Sequence, residues 1–188
     1  MTSAPAPSPR SDRTATAILA AAAHVLTAHG AAASMADVAA AAGVGRATLY
    51  RYFETRESLL EALATRAVAD AGARLADAGL DGVTVEEAIE RIVRALVAVG
   101  DRYAVLVDEQ VRTEPDEVER LLGAPIRAVF ARGVETAALR DDLPLEILLE
   151  LFGGLLTTTI KLVGQRRIGL EDAAAAATSL FLHGARPA

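Results

Sequence analysis

The chain has 188 residues, room for one body or two small ones with a real core, and no cysteine, which excludes disulfides, thiolate metal sites and cysteine redox sensing. Apolar residues make up 52% and aromatics only 4%, an alanine-rich globular composition that favours helix and speaks against an all-β fold. The net charge of −6 weighs against nucleic acid until it is divided: six arginines meet five acidic residues up to Arg66, whereas 13 basic residues meet 20 acidic ones beyond it.

Residues 1–11 are rich in Pro, Ser and Ala and read as a disordered arm. Arg10 and Arg13 before the run 15–23 loosely resemble a secretory signal, but the run is alanine rather than leucine, and Ile18, Ala22 and Val25 fall at helical spacing. A first helix is therefore expected over 12–28, stopped at Gly30. Ser34 followed by Asp37 reads as a capping box that opens a short helix ending at Gly43. A second short helix is expected over 45–53, and a longer one from Thr55 to a stop at Gly79.

Beyond Gly79 the pattern stays helical. Thr84 and Glu87 read as another capping box, and Val85, Ile89, Ile92, Leu96 and Val99 continue one apolar face. Further helices are expected over 102–112, 116–122, 125–138, 144–165 and 170–183, about nine in all. No internal repeat is present. The most apolar stretch, 147–163, is broken by Glu150 and Lys161, so no membrane span and no membrane partner are expected.

The pair of short helices carries the functional signal. Two tightly crossed helices need a small residue where they touch, and Ala39 supplies it. Their turn needs a residue tolerant of positive φ, and Gly43 supplies that. Val38, Val44 and Leu49 then close a miniature core. This is the pattern of a helix-turn-helix. With Leu49 and Phe53 inward, Arg46, Ala47, Tyr50 and Arg51 face outward. Arg can hold guanine bidentately and Ala47 can touch a thymine methyl. The hydroxyls of Thr48, Tyr50 and Tyr52 suit phosphate oxygens, as do the start of the next helix and Arg56. The competing reading is an ordinary helix hairpin with surface Arg and Tyr; two exposed tyrosines in a chain holding three weigh against it.

The run Ala47-Thr48-Leu49-Tyr50-Arg51-Tyr52-Phe53-Glu54-Thr55-Arg56-Glu57-Ser58-Leu59-Leu60 resembles the signature of the tetracycline-repressor (TetR) family, and Ser34-Met35-Ala36-Asp37-Val38-Ala39 matches as well. The resemblance is specific over residues 16–63. It implies an all-α fold, with a three-helix DNA-binding head over 12–63 joined to a helical effector-binding and dimerisation body over 64–188. It also implies a regulator, by family default a repressor, that a small effector releases from its operator. The DNA contacts implied are Ser34, Gly45, Arg46, Ala47, Thr48, Tyr50, Arg51, Tyr52 and Arg56. Two positions depart from the family. Gly45 stands where Ser or Thr is common, a tolerated cap that loses one hydroxyl. Arg56 stands where Lys is usual and keeps the charge.

In the body, the stretch 144–165 is apolar nearly all round, which suits a helix buried on more than one side. A second subunit can cover the side its own body leaves open. Phe152, Gly153 and Gly154 on this helix, and Ala173, Ala177 and Phe181 on the last, are expected at that homodimer interface. Tyr103, Gln110, Phe130 and Thr158 are the candidates for orienting a mostly apolar ligand, although such residues are more often satisfied core positions.

An enzyme is the competing class. No phosphate loop, nucleophile elbow or metal-spaced His cluster is present, and His24, His29 and His183 are scattered. No catalytic residue, metal or cofactor is therefore expected. A third class is an all-α adaptor that keeps the head without using it. The lack of cysteine suits a reducing cytoplasm.

Overall fold

Ser34 shows how the sequence sets the local structure. Its hydroxyl accepts from the Asp37 amide at 3.2 Å, and the Asp37 carboxylate takes the Ser34 amide at 2.9 Å, so the reciprocal cap forms and starts α2. The computed structural model describes residues 9–108, 111 and 113–187. Its helices are α1 (Pro9–His29), α2 (Met35–Ala41), α3 (Arg46–Tyr52), α4 (Arg56–Asp77), α5 (Val85–Asp108), α6 (Pro115–Val118), α7 (Ala124–Glu135), α8 (Leu145–Gly164) and α9 (Leu170–Ala185). Among the described residues there is no strand. Most of the expected arm lies outside the described residues, but α1 already begins at Pro9, a residue suited to a first helical turn. Two compact units divide the chain, Met1–Leu63 and Ala64–Ala188.

In the first unit, Ile18, Ala22 and Leu26 of α1 are buried with Val38 and Ala39 of α2 and Leu49 of α3. Gly43 adopts φ +65°, so the turn between α2 and α3 takes the left-handed conformation that glycine alone enters at no steric cost. A cap not anticipated from the sequence starts α4: the Ser58 amide donates to the Thr55 hydroxyl at 3.0 Å, and the Thr55 amide to the Ser58 hydroxyl at 3.2 Å.

The second unit is built around α5, whose Ile89, Ile92, Val93 and Val97 are fully buried. α5 packs mainly on α8 and α9, and less on α7. Gly100 permits the α5–α8 approach, since a Cβ there would lie 2.5 Å from Ile160. Phe130 of α7, Phe152 of α8 and Phe181 of α9 meet in one cluster, with ring centroids 4.8 to 5.4 Å apart.

The two helices expected on either side of Gly100 do meet at a break, within the stretch labelled α5, where the backbone at Tyr103 is non-helical (φ −119°, ψ 16°). Two other local expectations change. The helices expected over 116–122 and 125–138 join, through a π-helical turn at Glu119–Gly123. Pro125 accounts for that turn: it has no N–H for the Leu121 carbonyl and its ring crowds that oxygen, so the preceding turn widens. Finally, only half of the second capping box forms. The Glu87 amide donates to the Thr84 hydroxyl at 3.2 Å, but the Glu87 carboxylate turns instead to Arg91 at 2.8 Å. Arg91 also donates to the carbonyls of Ala78 and Gly79, fixing the end of α4 to α5.

By length and composition α8 is apolar enough to cross a membrane, which corrects the expectation that no stretch qualifies. Its inner stripe of Leu148, Phe152, Leu156, Thr159 and Val163 is packed in the helical body. The opposite side leaves Ile147 and Leu151 exposed, Leu151 by 60%.

Candidate nucleic-acid interface and body cavity

α3 presents one face to its own unit and one to solvent. Leu49 is fully buried and Phe53 nearly so, while Arg46, Ala47, Tyr50 and Arg51 are exposed, Tyr50 by 46%. Residues 46, 47, 50 and 51 share a face at helical spacing, so their side chains project together. Gly45 caps the helix without a side-chain bond, leaving the first amides of α3 without a hydroxyl in front of them. The Arg51 guanidinium lies 5.3 Å from the centroid of the Tyr52 ring, a cation–π pairing that holds both next to the exposed face. Thr48 and Tyr52 are half-buried at its edges.

Two of the sequence candidates have structural duties here. The Ser34 hydroxyl is held in the α2 cap, donating to Asp37 at 2.6 Å. That hydroxyl, followed by the Ser34 amide, holds the Asp37 carboxyl below its ordinary range. Arg56 donates through Nη1 to the Ala33 carbonyl at 2.6 Å, so it ties the start of α4 to the loop before α2. Its role is at least partly to pin that loop, which the sequence did not reveal.

The second unit holds a cavity of about 590 Å³ between α4, α5, α7 and α8. Val68 and Ala71 of α4, Leu96 of α5, Ile126 of α7 and Leu156 and Ile160 of α8 form apolar walls. Thr113 and Thr157 are its hydroxyl-bearing residues besides Tyr103, whose ring lines it, and among the described lining residues none is charged. Of the four ligand candidates, Tyr103 lines this cavity. Phe130 does not: it is fully buried in the aromatic cluster. Thr158 does not either, being exposed with its hydroxyl on the Gly154 carbonyl at 2.9 Å. Thr157, one residue and about 100° around the helix, faces the cavity instead. Gln110 lies outside the described residues.

The Tyr103 hydroxyl points out of the cavity and donates to Asp70 Oδ2 at 2.7 Å, while Arg66 Nε donates to Asp70 Oδ1 at 2.7 Å. Burial raises the Asp70 carboxyl, but these two bonds and the charges of Arg66 and Arg102 outweigh it and leave it below its usual range. Burial, and then the bond to Asp70, raise the Tyr103 phenol.

The interface candidates on α8 and α9 divide as well. Phe152, Ala173, Ala177 and Phe181 are buried within the chain itself, so they are corrected from interface to core. An all-round apolar helix hides which side faces home, and here the aromatic side does. Gly153 lines the cavity. Gly154 is exposed, with nothing within 4 Å of a Cβ placed on it. The exposed apolar positions are Ile147 and Leu151 of α8 and Leu180 of α9, with Ala176 and Gly184 on the same side as Leu180.

A family model described as bacterial regulatory proteins, tetR family, matches residues 18–63, the stretch that holds α2 and α3. The HTH-type transcriptional repressor LfrR of Mycolicibacterium smegmatis is 41% identical over 100 residues, which cover 53% of this chain. The match spans about half the length of that repressor, 52%. Over a fuller span, the solved structure of the TetR-like transcriptional regulator LfrR from Mycobacterium smegmatis in complex with proflavine is similar. It has a TM-score of 0.74 and 26% identity, over 94% of this chain and 99% of that one. The transcriptional regulator FadR from Bacillus subtilis in complex with stearoyl-CoA shares the fold at a TM-score of 0.71 and 16% identity, over 90% of this chain and 98% of that one. With the capped α2, the left-handed turn at Gly43 and the outward face of α3, the chain is similar to the TetR family of bacterial regulatory proteins, in sequence over residues 18–63 and in fold over nearly its whole length.

Proposed function

We propose that the protein is a sequence-specific DNA-binding transcriptional regulator, a repressor released from its operator by a small, mostly apolar effector. The observation that carries this reading is the face of α3, where Arg46, Ala47, Tyr50 and Arg51 project together from a short, capped two-helix pair. Arg46 and Arg51 read base edges, and Ala47 offers a methyl contact. Thr48, Tyr50 and Tyr52 hold phosphates, with Gly45 letting the backbone approach and Ser34 and Arg56 acting from the edge.

Homodimerisation supplies the second recognition helix. Ile147, Leu151 and Leu180 are large apolar side chains left in water, and Gly154, Ala176 and Gly184 beside them allow close helix approach. A C2 pair of these faces calls for a pseudo-palindromic operator. The cavity is the effector site, its apolar walls supplying affinity, the Thr157 hydroxyl supplying orientation and the Tyr103 ring a flat wall. α4 contributes Val68 and Ala71 to the cavity wall, and its first turn belongs to the head, so it is the element through which the effector acts. The reading places the protein inside the cell, in the cytoplasm, where its DNA is.

Selection of bound sequences from a random DNA pool, using the purified full chain, tests the proposal. A pseudo-palindromic motif is expected, and Arg46→Ala and Arg51→Ala each relax it at a defined position. Sequence-indifferent binding, or none, overturns the regulator in favour of an adaptor with an idle head. Calorimetric titration of an effector with and without operator tests the switch, because linkage requires equal weakening in both directions.

A further inference from the structure

The two arginines on the open face of α3 are not held alike. Arg46 is the first residue of the helix and exposed, and among the described residues no ring, carboxylate or carbonyl holds its guanidinium. Arg51 stands in the last turn, equally exposed, with its guanidinium carbon over the Tyr52 ring at 5.3 Å from the centroid. Among the described residues that ring is its one partner, and no hydrogen bond or ion pair takes up its N–H groups. Tyr52 is half-buried at the end of α3, beside Phe53, which is only 8% exposed. A ring on two rotatable bonds, partly inside the head, is a stiffer support than a long side chain in water. The contact restrains the guanidinium without consuming it, because a π face attracts the cation but does not take its N–H groups as a carboxylate would. A bidentate contact to guanine needs two of those donors in one plane at one place. An unsupported arginine must give up rotamer freedom to reach that state, and a supported one has given up part of it already.

We infer that Tyr52 positions Arg51 for base reading, so that the choice of the base pair read by Arg51 depends on the Tyr52 ring. The inference rests on reading α3 as the DNA-contacting helix, and it goes beyond the phosphate role given to the Tyr52 hydroxyl. Tyr52 is a positioning residue with two separable parts. Its hydroxyl serves affinity for any sequence, and its ring serves discrimination at one base pair. Successive residues of a helix lie about 100° apart, so Tyr52 stands off the reading face and braces Arg51 from the side. Arg46 lies at the other end of α3, about 9 Å away along the axis at 1.5 Å per residue, and its base contact is independent of the ring.

The test starts from the DNA motif that the full chain selects from a random pool. Arg51→Ala and Arg46→Ala each mark the base pair they relax, and affinity is measured for the motif and for versions substituted at either base pair. Tyr52→Leu is expected to lower discrimination at the Arg51 base pair about two- to fivefold, the size of one exposed cation–π contact. Discrimination at the Arg46 base pair should not move, which also reports that the head is folded. Tyr52→Phe keeps the ring and should keep both preferences, while binding every sequence more weakly for want of the hydroxyl. In an Arg51→Ala background, Tyr52→Leu should no longer change discrimination at that base pair. Tyr52→Met takes the place of Tyr52→Leu if the leucine variant melts below the temperature of the measurement. Equal weakening on all sequences, lost discrimination at both base pairs, or a change that persists without Arg51 overturns the inference, since the ring then supports the helix or a phosphate contact. Lost discrimination at the Arg51 base pair in Tyr52→Phe overturns it too, by giving the role to the hydroxyl. If the parent selects a motif that Arg51→Ala does not relax, base reading by Arg51 fails and takes this inference with it. If the parent selects no motif, the reading of α3 as the DNA-contacting helix falls first.

Discussion

The two units place their arginines differently, and the contrast shows where function can be read from spacing. In the head, Arg46 and Arg51 stand on the open face of a seven-residue helix whose other side is spent on Leu49. Their direction follows from helical period alone. In the body, Arg66, Arg74 and Arg102 come from two helices separated by a loop, and only folding brings them around Asp70 and Tyr103. On the proposed reading, a groove of DNA is one fixed shape, so a reader of it needs fixed spacing. Effectors differ in shape from one to the next, so a body that takes one need only enclose a matching volume, and many sequences do that.

The cores differ in the same way, and the largest expected effect separates them. Phe130 is fully buried and touches two other rings, so Phe130→Ala is expected to destabilise the body by about 3–5 kcal/mol. Thermal unfolding followed by hydrogen exchange checks it. Amides of α5, α8 and α9 should lose protection first, while those of α1 and α2 hold. Simultaneous loss in both units would show that the division into two bodies has no thermodynamic counterpart.

The next effect tests the exposed side of α8. Leu151→Glu puts a charge on the proposed dimer face and should cost about 2 kcal/mol or more of association, read by light scattering across a concentration series. Phe152→Leu, one residue on but inside the core, should leave association alone and lower the melting temperature. The reverse pattern would put the interface on the other side of the helix.

Much of the head was legible from its residues. The Ser34–Asp37 cap, the turn at Gly43 and the inward Leu49 each have a local cause that a sequence displays. The Thr55–Ser58 cap and the Arg56 bond to Ala33 were missed, the first because Ser at the third position is a weak cap signal, the second because its partner lies 23 residues away. In the body, helix content was legible and facing was not. α8 is apolar on both sides, so periodicity could not say that Phe152 turns inward and Leu151 outward. Thr158 and Thr157 are equally polar, and only the packing of α8 on α5 chooses between them. The join of α6 to α7 through a π turn was hidden because Pro125 reads as a helix start.

Smaller still are the losses expected at the arginines of α3. Arg46→Ala and Arg51→Ala should each cost about 1–3 kcal/mol at the preferred operator and little on unrelated DNA, if the contact is bidentate to a base. Arg56→Ala is expected to act in two ways. Because Arg56 also holds the Ala33 carbonyl, it should lower the head's stability as well as its DNA affinity, where Arg46→Ala lowers affinity alone. Binding measured over a salt series, beside a melting curve for each variant, distinguishes the two. An Arg56→Ala protein with wild-type stability would return that residue to a purely electrostatic role.

The smallest effect compares one carboxylate from each unit. Asp37 in the head is lowered by its bonds to Ser34, and Asp70 in the body is lowered because Tyr103, Arg66 and Arg102 outweigh its burial. For both, the folded state binds the proton less readily than the unfolded chain does. Each therefore adds stability that is fully present above the ordinary aspartate value, about 3.9, and is lost as pH falls through the lowered folded value. Asp70→Asn should accordingly be less stable than the parent at neutral pH, by about 1 kcal/mol or less for so accessible a pair. The gap should close on acidification below about pH 4, where the parent's own carboxylate is neutral. Asp37→Asn should show the same closing gap with a different readout, in protection of the α2 amides rather than of α5. Urea unfolding at neutral pH and at steps down to the acid range measures both. A gap that persists undiminished in acid would mean that Asp70 acts through shape and hydrogen bonding, and that its charge is not what holds Tyr103 and Arg66 together.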